Sequence, residues 1–243
     1  MSRDLYPGAM ERHIVAMGGG QWPDDHIYRF IFDLADAPRP KILSVPTATG
    51  DSDRSIAAFF RSFSSRTWDP SVLTLFERTT QDLRSLVLTQ DVVLVGGGNT
   101  MNMLAIWRAH GLDEILREAW DAGVVLTGGS AGANCWFEAS TTDSFLIGRS
   151  DPLADGLGLA PGSFCPHFDS EPSRRPSYHR LVGEGALPPG IACDDLAAVH
   201  LVGTEVAEVL ASDPGAGARR VEPGAHGDIA ETPLEARLLE ASA

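Results

Sequence analysis

Short apolar segments alternate with longer amphipathic segments through the first half of the chain. The apolar segments are typical of buried β-strands, and they are His13–Met17, Lys41–Val45, Val72–Phe76, Asp91–Val95 and Val124–Thr127. The segments between them carry apolar residues at helical spacing, and they are Asp24–Asp36, Asp51–Arg66, Thr100–His110 and Asp113–Ala122. Apolar strands separated by amphipathic helices predict a mostly parallel sheet with helices on both faces, which is a doubly wound α/β fold.

Each of the first two predicted helices has one apolar stripe that should face the sheet. The stripes are Ile27, Phe30, Ile31 and Leu34 in the first helix, and Ile56, Phe59, Phe60 and Phe63 in the second. Pro23 precedes the first helix, where its fixed φ favours a helix start.

The pattern becomes less regular after about Thr141, where short strands alternate with turns rich in Gly and Pro. We expect this part to complete the sheet edge and to cover the site. Residues Asp213–Gly227 are rich in Gly, Ala and Pro, which is typical of a terminal hairpin or a loose tail. Because no interdomain linker is visible, we predict one domain over residues 1–243.

Composition and charge exclude several classes of protein. The chain has 19 basic and 33 acidic residues and a net charge of −14, which would repel a nucleic acid backbone. No apolar run approaches the ~20 residues needed to span a bilayer, and the first residues lack a signal-peptide pattern, so the expected location is the cytoplasm. The three cysteines are widely spaced, which predicts neither a disulfide framework nor a structural zinc site. We expect no metal and no other cofactor.

Two glycine-rich turns follow predicted strands, at the edge where open α/β sheets bind their ligands. The second, Gly128–Ala133, fits the pattern Gly-x-Ser-x-Gly of a nucleophile elbow between a strand and a helix. Ser130 is therefore the candidate nucleophile. The N–H of Ala131, at the start of the following helix, is a natural donor to a developing oxyanion.

The first turn, Gly96–Asn99, can bring a second donor, the N–H of Gly98, to the same point. An alternative interpretation is that both turns hold a phosphate or a nucleotide and that the protein is a binding module without enzymatic activity. The turn lacks the Gly-x-Gly-x-x-Gly spacing, however, and no acidic residue ends the next strand as a ribose ligand would.

A serine nucleophile needs a base and an acid that orients the base. Of the seven histidines, local context leaves His167 and His179, and it favours His167 because this residue ends a short predicted strand. The candidates for the acid are Asp143, Asp169, Glu171, Asp194 and Asp195. Asp169 is too near His167 in an extended segment to curl back on the ring, whereas a carboxylate at a strand end can hold an imidazole, which points to the adjacent Asp194 and Asp195. The sequence pattern does not choose between these two aspartates.

These motifs together resemble those of peptidase family S51, which contains the aspartyl dipeptidase (peptidase E) group and has cyanophycinase as a relative. The resemblance runs from Val92 to Val199 through VVLVGGGNT, LTGGSAGAN, STTD, PHFD and GIACDDLAAV. It implies a sheet of the glutamine-amidotransferase type and a serine-peptidase mechanism. Ser130 would be the nucleophile, His167 the base, and Asp195 the orienting acid in place of the family's usual glutamate.

The resemblance also implies further site residues and a substrate class. Gly98 and Ala131 would form the oxyanion hole, and the residues expected near the site or the substrate are Asn99, Asp143, Arg174 and Arg175. The substrate would be a small peptide, namely a dipeptide with an N-terminal aspartate whose carboxylate meets an arginine. The alternative for the two arginines is that they face solvent and pair with Glu171. The alternative for the enzyme is a cyanophycinase-like or other specificity. A homodimer is expected only because such dimers are common.

Overall fold

The computed structural model describes residues 11–20, 25–64, 67–225 and 227–239. Fourteen strands lie within them: β1 His13–Met17, β2 Lys41–Val45, β3 Asp69–Val72, β4 Val92–Val95, β5 Val125–Gly129, β6 Phe137–Thr142, β7 Asp151–Leu153, β8 Ala160–Cys165, β9 Gly190–Cys193, β10 Ala197–Val202, β11 Glu205–Ala211, β12 Ala218–Pro223, β13 Ile229–Leu234 and β14 Ala236–Leu238.

The described residues also form seven α-helices, and a short 3-10 helix covers Pro46–Thr49. The helices are α1 Asp25–Asp33, α2 Asp53–Phe63, α3 Leu83–Leu88, α4 Thr100–His110, α5 Leu112–Asp121, α6 Ala131–Asn134 and α7 Arg174–Gly183. None of them is long and apolar enough to cross a membrane. Pro23, Asp24 and Arg66, at the predicted ends of the first two helices, lie outside the described residues.

The strands form two sheets. The larger sheet has eight strands in the order β14-β11-β10-β1-β5-β4-β2-β3, and the smaller has six in the order β13-β12-β9-β8-β6-β7. In the larger sheet all neighbours are parallel except β1 with β10 and β10 with β11. The predicted α/β class with a mostly parallel main sheet is therefore confirmed, and the second sheet is an addition that the periodicity did not reveal.

Alternate side chains of the central strands pack into two separate hydrophobic cores, as expected for a sheet covered on both faces. Val15 and Val125 pack with α1 and α2 on one face, where Ile31 and Phe63 are fully buried. Ile14 packs on the other face with α4, α5 and the smaller sheet. A third core lies between the smaller sheet and α7. The main sheet is thus enclosed between two helices on one side and a mixed layer on the other.

Three details of the sequence prediction were wrong. The third strand covers Asp69–Val72 and not Val72–Phe76, because the sheet edge accepts Pro70 while Leu73 and Leu75 are buried just beyond the ladder. Phe60 is 37% exposed, since α2 turns Phe59 and Phe63 to the sheet.

The first helix is also rotated relative to the predicted stripe. Tyr28 and Phe32 are buried beside Ile27 and Ile31, whereas Phe30 and Leu34 are only partly covered. Ring contacts explain the rotation, because Tyr28 and Phe32 both pack edge-on against Phe63 of α2.

A buried histidine pair joins β1 to β10 and makes stability depend on pH. Nδ1 of His13 lies 3.0 Å from Nε2 of His200. Burial lowers the pKa of both imidazoles, although Glu11 faces His13 at 3.6 Å and Glu208 faces His200 at 3.4 Å. The unfolded chain therefore binds protons at a higher pH than the folded chain, and stability falls as the pH drops below about 6.5.

We expect the free energy of unfolding to decrease between pH 7 and pH 5. His200→Gln removes one of the two buried imidazoles and should flatten this decrease, whereas His110→Gln, at the partly exposed end of α4, should not. Urea unfolding at a series of pH values measures this. A wild-type stability that is constant from pH 7 to pH 5 would contradict the prediction.

Candidate active site

Three glycine-rich turns meet at one edge of the main sheet. They are Gly18–Gly20 after β1, Gly96–Gly98 after β4, and the turn from Gly129 to Ser130 at the end of β5. Because β1, β5 and β4 are parallel neighbours, their carboxyl ends lie side by side. This is the edge at which open α/β sheets bind ligands.

Ser130 occupies a strained turn between β5 and α6. Its backbone has φ 56° and ψ −115°, a conformation that costs a non-glycine residue about 1–3 kcal/mol. Its N–H donates to the carbonyl of Met17 at 3.2 Å, and its carbonyl accepts from Asn134 at 2.9 Å. The turn is held from both sides, so the direction of the Cα–Cβ bond of Ser130 is fixed.

The turn is possible because glycines flank it at close contacts. A Cβ on Gly132 would lie 2.1 Å from the carbonyl oxygen of Val95, and a Cβ on Gly128 would lie 2.5 Å from the carbonyl oxygen of Gly132. Any side chain at either position would push α6 away from β4 and β5. The spacing Gly-x-Ser-x-Gly is therefore a packing requirement here.

His167 follows β8 in the smaller sheet and reaches the site from there. It has φ 54°, and its N–H donates to the carbonyl of Gly18 at 3.2 Å. Its Nδ1 lies 2.7 Å from Oδ1 of Asp195. Because the aspartate oxygen can only accept when ionised, Nδ1 carries the proton and Nε2 is left as the basic nitrogen.

The two adjacent aspartates have different partners. Asp194 is 1% exposed, and both of its oxygens accept from Nη1 of Arg219, at 2.9 and 3.0 Å. Burial raises the pKa of Asp194, with Arg219 opposing the shift. Asp195 faces His167 instead. The question that the sequence left open, which aspartate contacts the histidine, has the geometric answer Asp195.

Two features of this region were not found from the sequence. Oδ1 of Asp169 accepts from the backbone N–H of Asp195 at 2.8 Å, so Asp169 positions the residue that contacts His167. The carbonyl of Gly19 accepts from the N–H of Leu196 at 3.0 Å, which fastens the first glycine turn to the same segment. The available signals were the PHFD motif and a third glycine turn after a predicted strand.

One cavity connects the serine and the histidine. Its volume is about 220 Å³, and it is lined by both Ser130 and His167 together with glycines of all three turns and by Met17, Ile27, Tyr28 and Val95. The lining is mostly apolar, and its size suits a small ligand. No described residue of this lining is an arginine, a lysine or a carboxylate.

The two backbone donors expected for an oxyanion are the N–H of Gly98, which precedes the N-cap residue Asn99 of α4, and the N–H of Ala131, the first residue of α6. Among the described residues, no hydrogen-bond acceptor is found for the N–H of Gly98 or of Ala131. The N–H of Gly98 belongs to the peptide bond between Gly97 and Gly98, and Gly97 lines the cavity. A Cβ on Gly97 would lie 3.4 Å from Cβ of Ser130. Neither N–H group is thus engaged by another described residue.

Asn99 and Arg174 have structural partners. Asn99 caps α4 by accepting from Asn102, and its amide donates to the carbonyl of Ser144. Arg174 is 3% exposed, and its Nε donates to Glu171 at 2.5 Å, so the predicted pairing with Glu171 occurs in a buried and not a solvent-facing position.

The remaining two candidates also lie outside the cavity lining. Oδ1 of Asp143 lies 3.9 Å from Nη2 of Arg174. Arg175 forms a two-bond pair with Glu231 and stacks over Phe168 at 5.2 Å. Neither arginine lines the cavity that holds Ser130.

The three cysteines are poor candidates for a nucleophile. Cys135, Cys165 and Cys193 are free and fully buried. Burial raises the pKa of Cys165 to about 12, so its thiolate is scarce at neutral pH. Within the described ranges, no group of three or more His, Cys, Asp or Glu residues is arranged to hold a metal ion.

An α/β sheet that ends in a strained serine turn beside a histidine–aspartate pair has the form of a hydrolase site. The chain belongs to peptidase family S51, because the family model Peptidase family S51 matches residues 14–209. The membership predicted from the motifs is confirmed.

Named relatives agree with this membership. The chain is 44% identical over 234 residues to the uncharacterized peptidase YgaJ of Bacillus subtilis, covering 94% of this chain and 99% of that protein. It is 34% identical over 87 residues to peptidase E of Haemophilus influenzae, covering 36% of this chain and 40% of that protein. The crystal structure of a peptidase from an acI-B1 Actinobacterium is similar in fold, with a TM-score of 0.71 at 19% identity over 94% of this chain and 96% of that one.

Gly19 is the position where one added methyl group tests the site most directly. A Cβ there would lie 2.2 Å from Oδ1 of Asp195 and 2.4 Å from Nδ1 of His167. We expect Gly19→Ala to push the pair apart and to lower peptidase kcat/KM by about 10²- to 10⁴-fold, the usual contribution of a positioned base.

The matched control is Gly217→Ala, because a Cβ on Gly217 meets nothing within 4 Å. This variant should retain the wild-type rate. Equal rates for Gly19→Ala and the wild type would contradict the assignment of His167 and Asp195 to the active site.

Proposed function

We propose that the protein is a serine peptidase that hydrolyses small peptides, with a preference for dipeptides that carry an N-terminal aspartate. Ser130 is the nucleophile, His167 the general base and Asp195 the residue that orients it. The observation that carries the proposal is that Ser130 and His167 line one cavity while Nδ1 of His167 is bonded to Asp195 at 2.7 Å.

In the first step, Oγ of Ser130 attacks the carbonyl carbon of the scissile peptide bond. Nε2 of His167 takes the hydroxyl proton as the new C–O bond forms. The negative charge that develops on the carbonyl oxygen is stabilised by the N–H groups of Gly98 and Ala131, which have no other acceptor among the described residues.

In the second step, the tetrahedral intermediate collapses and the C–N bond breaks. Protonated His167, stabilised by Asp195, gives its proton to the leaving amine. Water then enters, transfers a proton to Nε2, and attacks the acyl-enzyme, which releases the acid and restores the serine hydroxyl.

The size of the cavity and the family membership support a small peptide substrate. A cavity of about 220 Å³ is suited to one or two residues and not to a folded chain. The preference for aspartate is what the motif resemblance to the aspartyl dipeptidase group implies, and the chain is similar to peptidase E of Haemophilus influenzae over about a third of its length.

Replacement of the nucleophile tests the mechanism. We expect Ser130→Ala to retain its fold and to lose nearly all turnover, by about 10⁶-fold in kcat. Hydrolysis of a panel of dipeptides that differ in their N-terminal residue measures this, with an unfolding curve as the control for folding. Turnover by Ser130→Ala at the wild-type rate would refute the serine mechanism.

The adjacent aspartates provide a matched pair of variants. Asp195→Asn should lower kcat by about 10⁴-fold, because the amide favours the wrong imidazole tautomer, with little change in stability. Asp194→Asn weakens the buried contact with Arg219 and should mainly lower the free energy of unfolding. The opposite result, in which Asp194→Asn abolishes turnover and Asp195→Asn does not, would contradict the role given to Asp195.

A further inference from the structure

A second cavity opens directly beside the cavity of Ser130. It has a volume of about 260 Å³, and its wall includes Ser44, Thr49, Arg54 and Ser55; we call it the Arg54 cavity. The two cavities share Gly96 and Gly97 as lining residues. A ligand bound to Ser130 therefore has a neighbouring space within its reach.

The shared wall is backbone alone. A Cβ on Gly96 would meet nothing within 4 Å, so open space lies where a side chain would stand. A Cβ on Gly97 would lie 3.8 Å from Oγ of Ser130. The wall that the Arg54 cavity shares with the cavity of Ser130 is thus made of two glycines, which carry no side chain that would thicken it.

A positive charge distinguishes the Arg54 cavity from the cavity of Ser130. Arg54 is the only arginine or lysine among the described residues that line either cavity, and none of those residues is Asp or Glu. The side chain of Arg54 forms neither an ion pair nor a hydrogen bond with the described residues. On a chain with a net charge of −14, this is an unneutralised cation beside the candidate site.

The arginines first expected to bind the substrate differ in this respect. Arg174 is paired with Glu171 and Arg175 with Glu231, so both guanidinium groups are already neutralised. A substrate carboxylate would have to displace a protein carboxylate to bind either one. Arg54 offers its charge and its donor groups without this competition.

We propose that the Arg54 cavity is a substrate subsite that takes a carboxylate of the peptide, which Arg54 binds through its guanidinium group. The hydroxyl of Ser44, which forms no side-chain hydrogen bond within the described residues, adds a neutral donor on the same wall. This inference rests on the proposed function, because it describes the substrate of the same site.

A dipeptide such as Asp-Leu has two carboxylates that Arg54 can bind. They are the side-chain carboxylate of its first residue and its C-terminal carboxylate. Asn-Leu lacks the first carboxylate, and Asp-Leu amide lacks the second. A comparison of the three substrates therefore distinguishes which group Arg54 binds.

The variant is Arg54→Gln, and the matched control is Arg61→Gln. Arg61 lies in the same helix, is exposed, and lines neither cavity. We expect Arg54→Gln to lower kcat/KM for Asp-Leu by about 10- to 100-fold, mainly through KM. For the substrate that lacks the recognised carboxylate, kcat/KM should be the same in Arg54→Gln and the wild type. Arg61→Gln should behave as the wild type on all three.

Calorimetry separates this inference from the proposed function. Asp-Leu should bind Ser130→Ala and lose about 10- to 100-fold in affinity when Arg54→Gln is added, whether or not the wild type turns the dipeptide over. Binding that depends on Arg54 without any turnover would refute the proposed peptidase chemistry and keep the subsite. Affinity and kcat/KM that are unchanged by Arg54→Gln, or lowered equally for all three substrates, would overturn the subsite.

Discussion

Helix α6 lies so close to β4 that no side chain fits between them at Gly132. A Cβ there would lie 2.1 Å from the carbonyl oxygen of Val95, and Gly128 is confined in the same way by the carbonyl of Gly132. Since both ends of the turn are fixed by these contacts, the residue between them must accept a positive φ, and Ser130 does so at 56°. The contacts of the surrounding sheet and helix offset this local cost of about 1–3 kcal/mol.

His167 and Ser130 line one cavity because two sheets share one core. Ile14 and Leu126 of the main sheet pack in the same apolar cluster as Phe164 and Cys193 of the smaller sheet. This packing brings the ends of β8 and β9 against the glycine turn after β1, where His167 donates to Gly18. The candidate site is therefore a product of tertiary packing between layers, and a loss of that packing would separate its halves.

The sequence predicted the parts of the fold that local periodicity determines. The strand before Gly96, the helix Thr100–His110 and the turn around Ser130 are all where their patterns indicate. The smaller sheet was not predicted, because its short strands pair partly antiparallel and partly parallel, and such pairing depends on distant partners. The same limit applies to the third strand, whose register follows β2 and not its own apolar run.

The finer features of the site depend on directions and on partners. Asp194 follows the end of β9 and Asp195 lies in the turn before β10, so their side chains take different directions, and only coordinates reveal which one meets the histidine. Whether an arginine is neutralised is likewise invisible in sequence: Arg174 and Arg175 have carboxylate partners, whereas Arg54 has no ion pair within the described residues.

In the proposed mechanism, one serine hydroxyl, one imidazole and two backbone N–H groups act on the same scissile peptide group. A crystal structure of the protein after reaction with a fluorophosphonate tests it most directly. We predict a covalent bond from phosphorus to Oγ of Ser130, a phosphoryl oxygen that accepts from the N–H groups of Gly98 and Ala131, and Nε2 of His167 within hydrogen-bond distance of the adduct. An adduct on another residue, or one on Ser130 that points away from His167, would contradict the account.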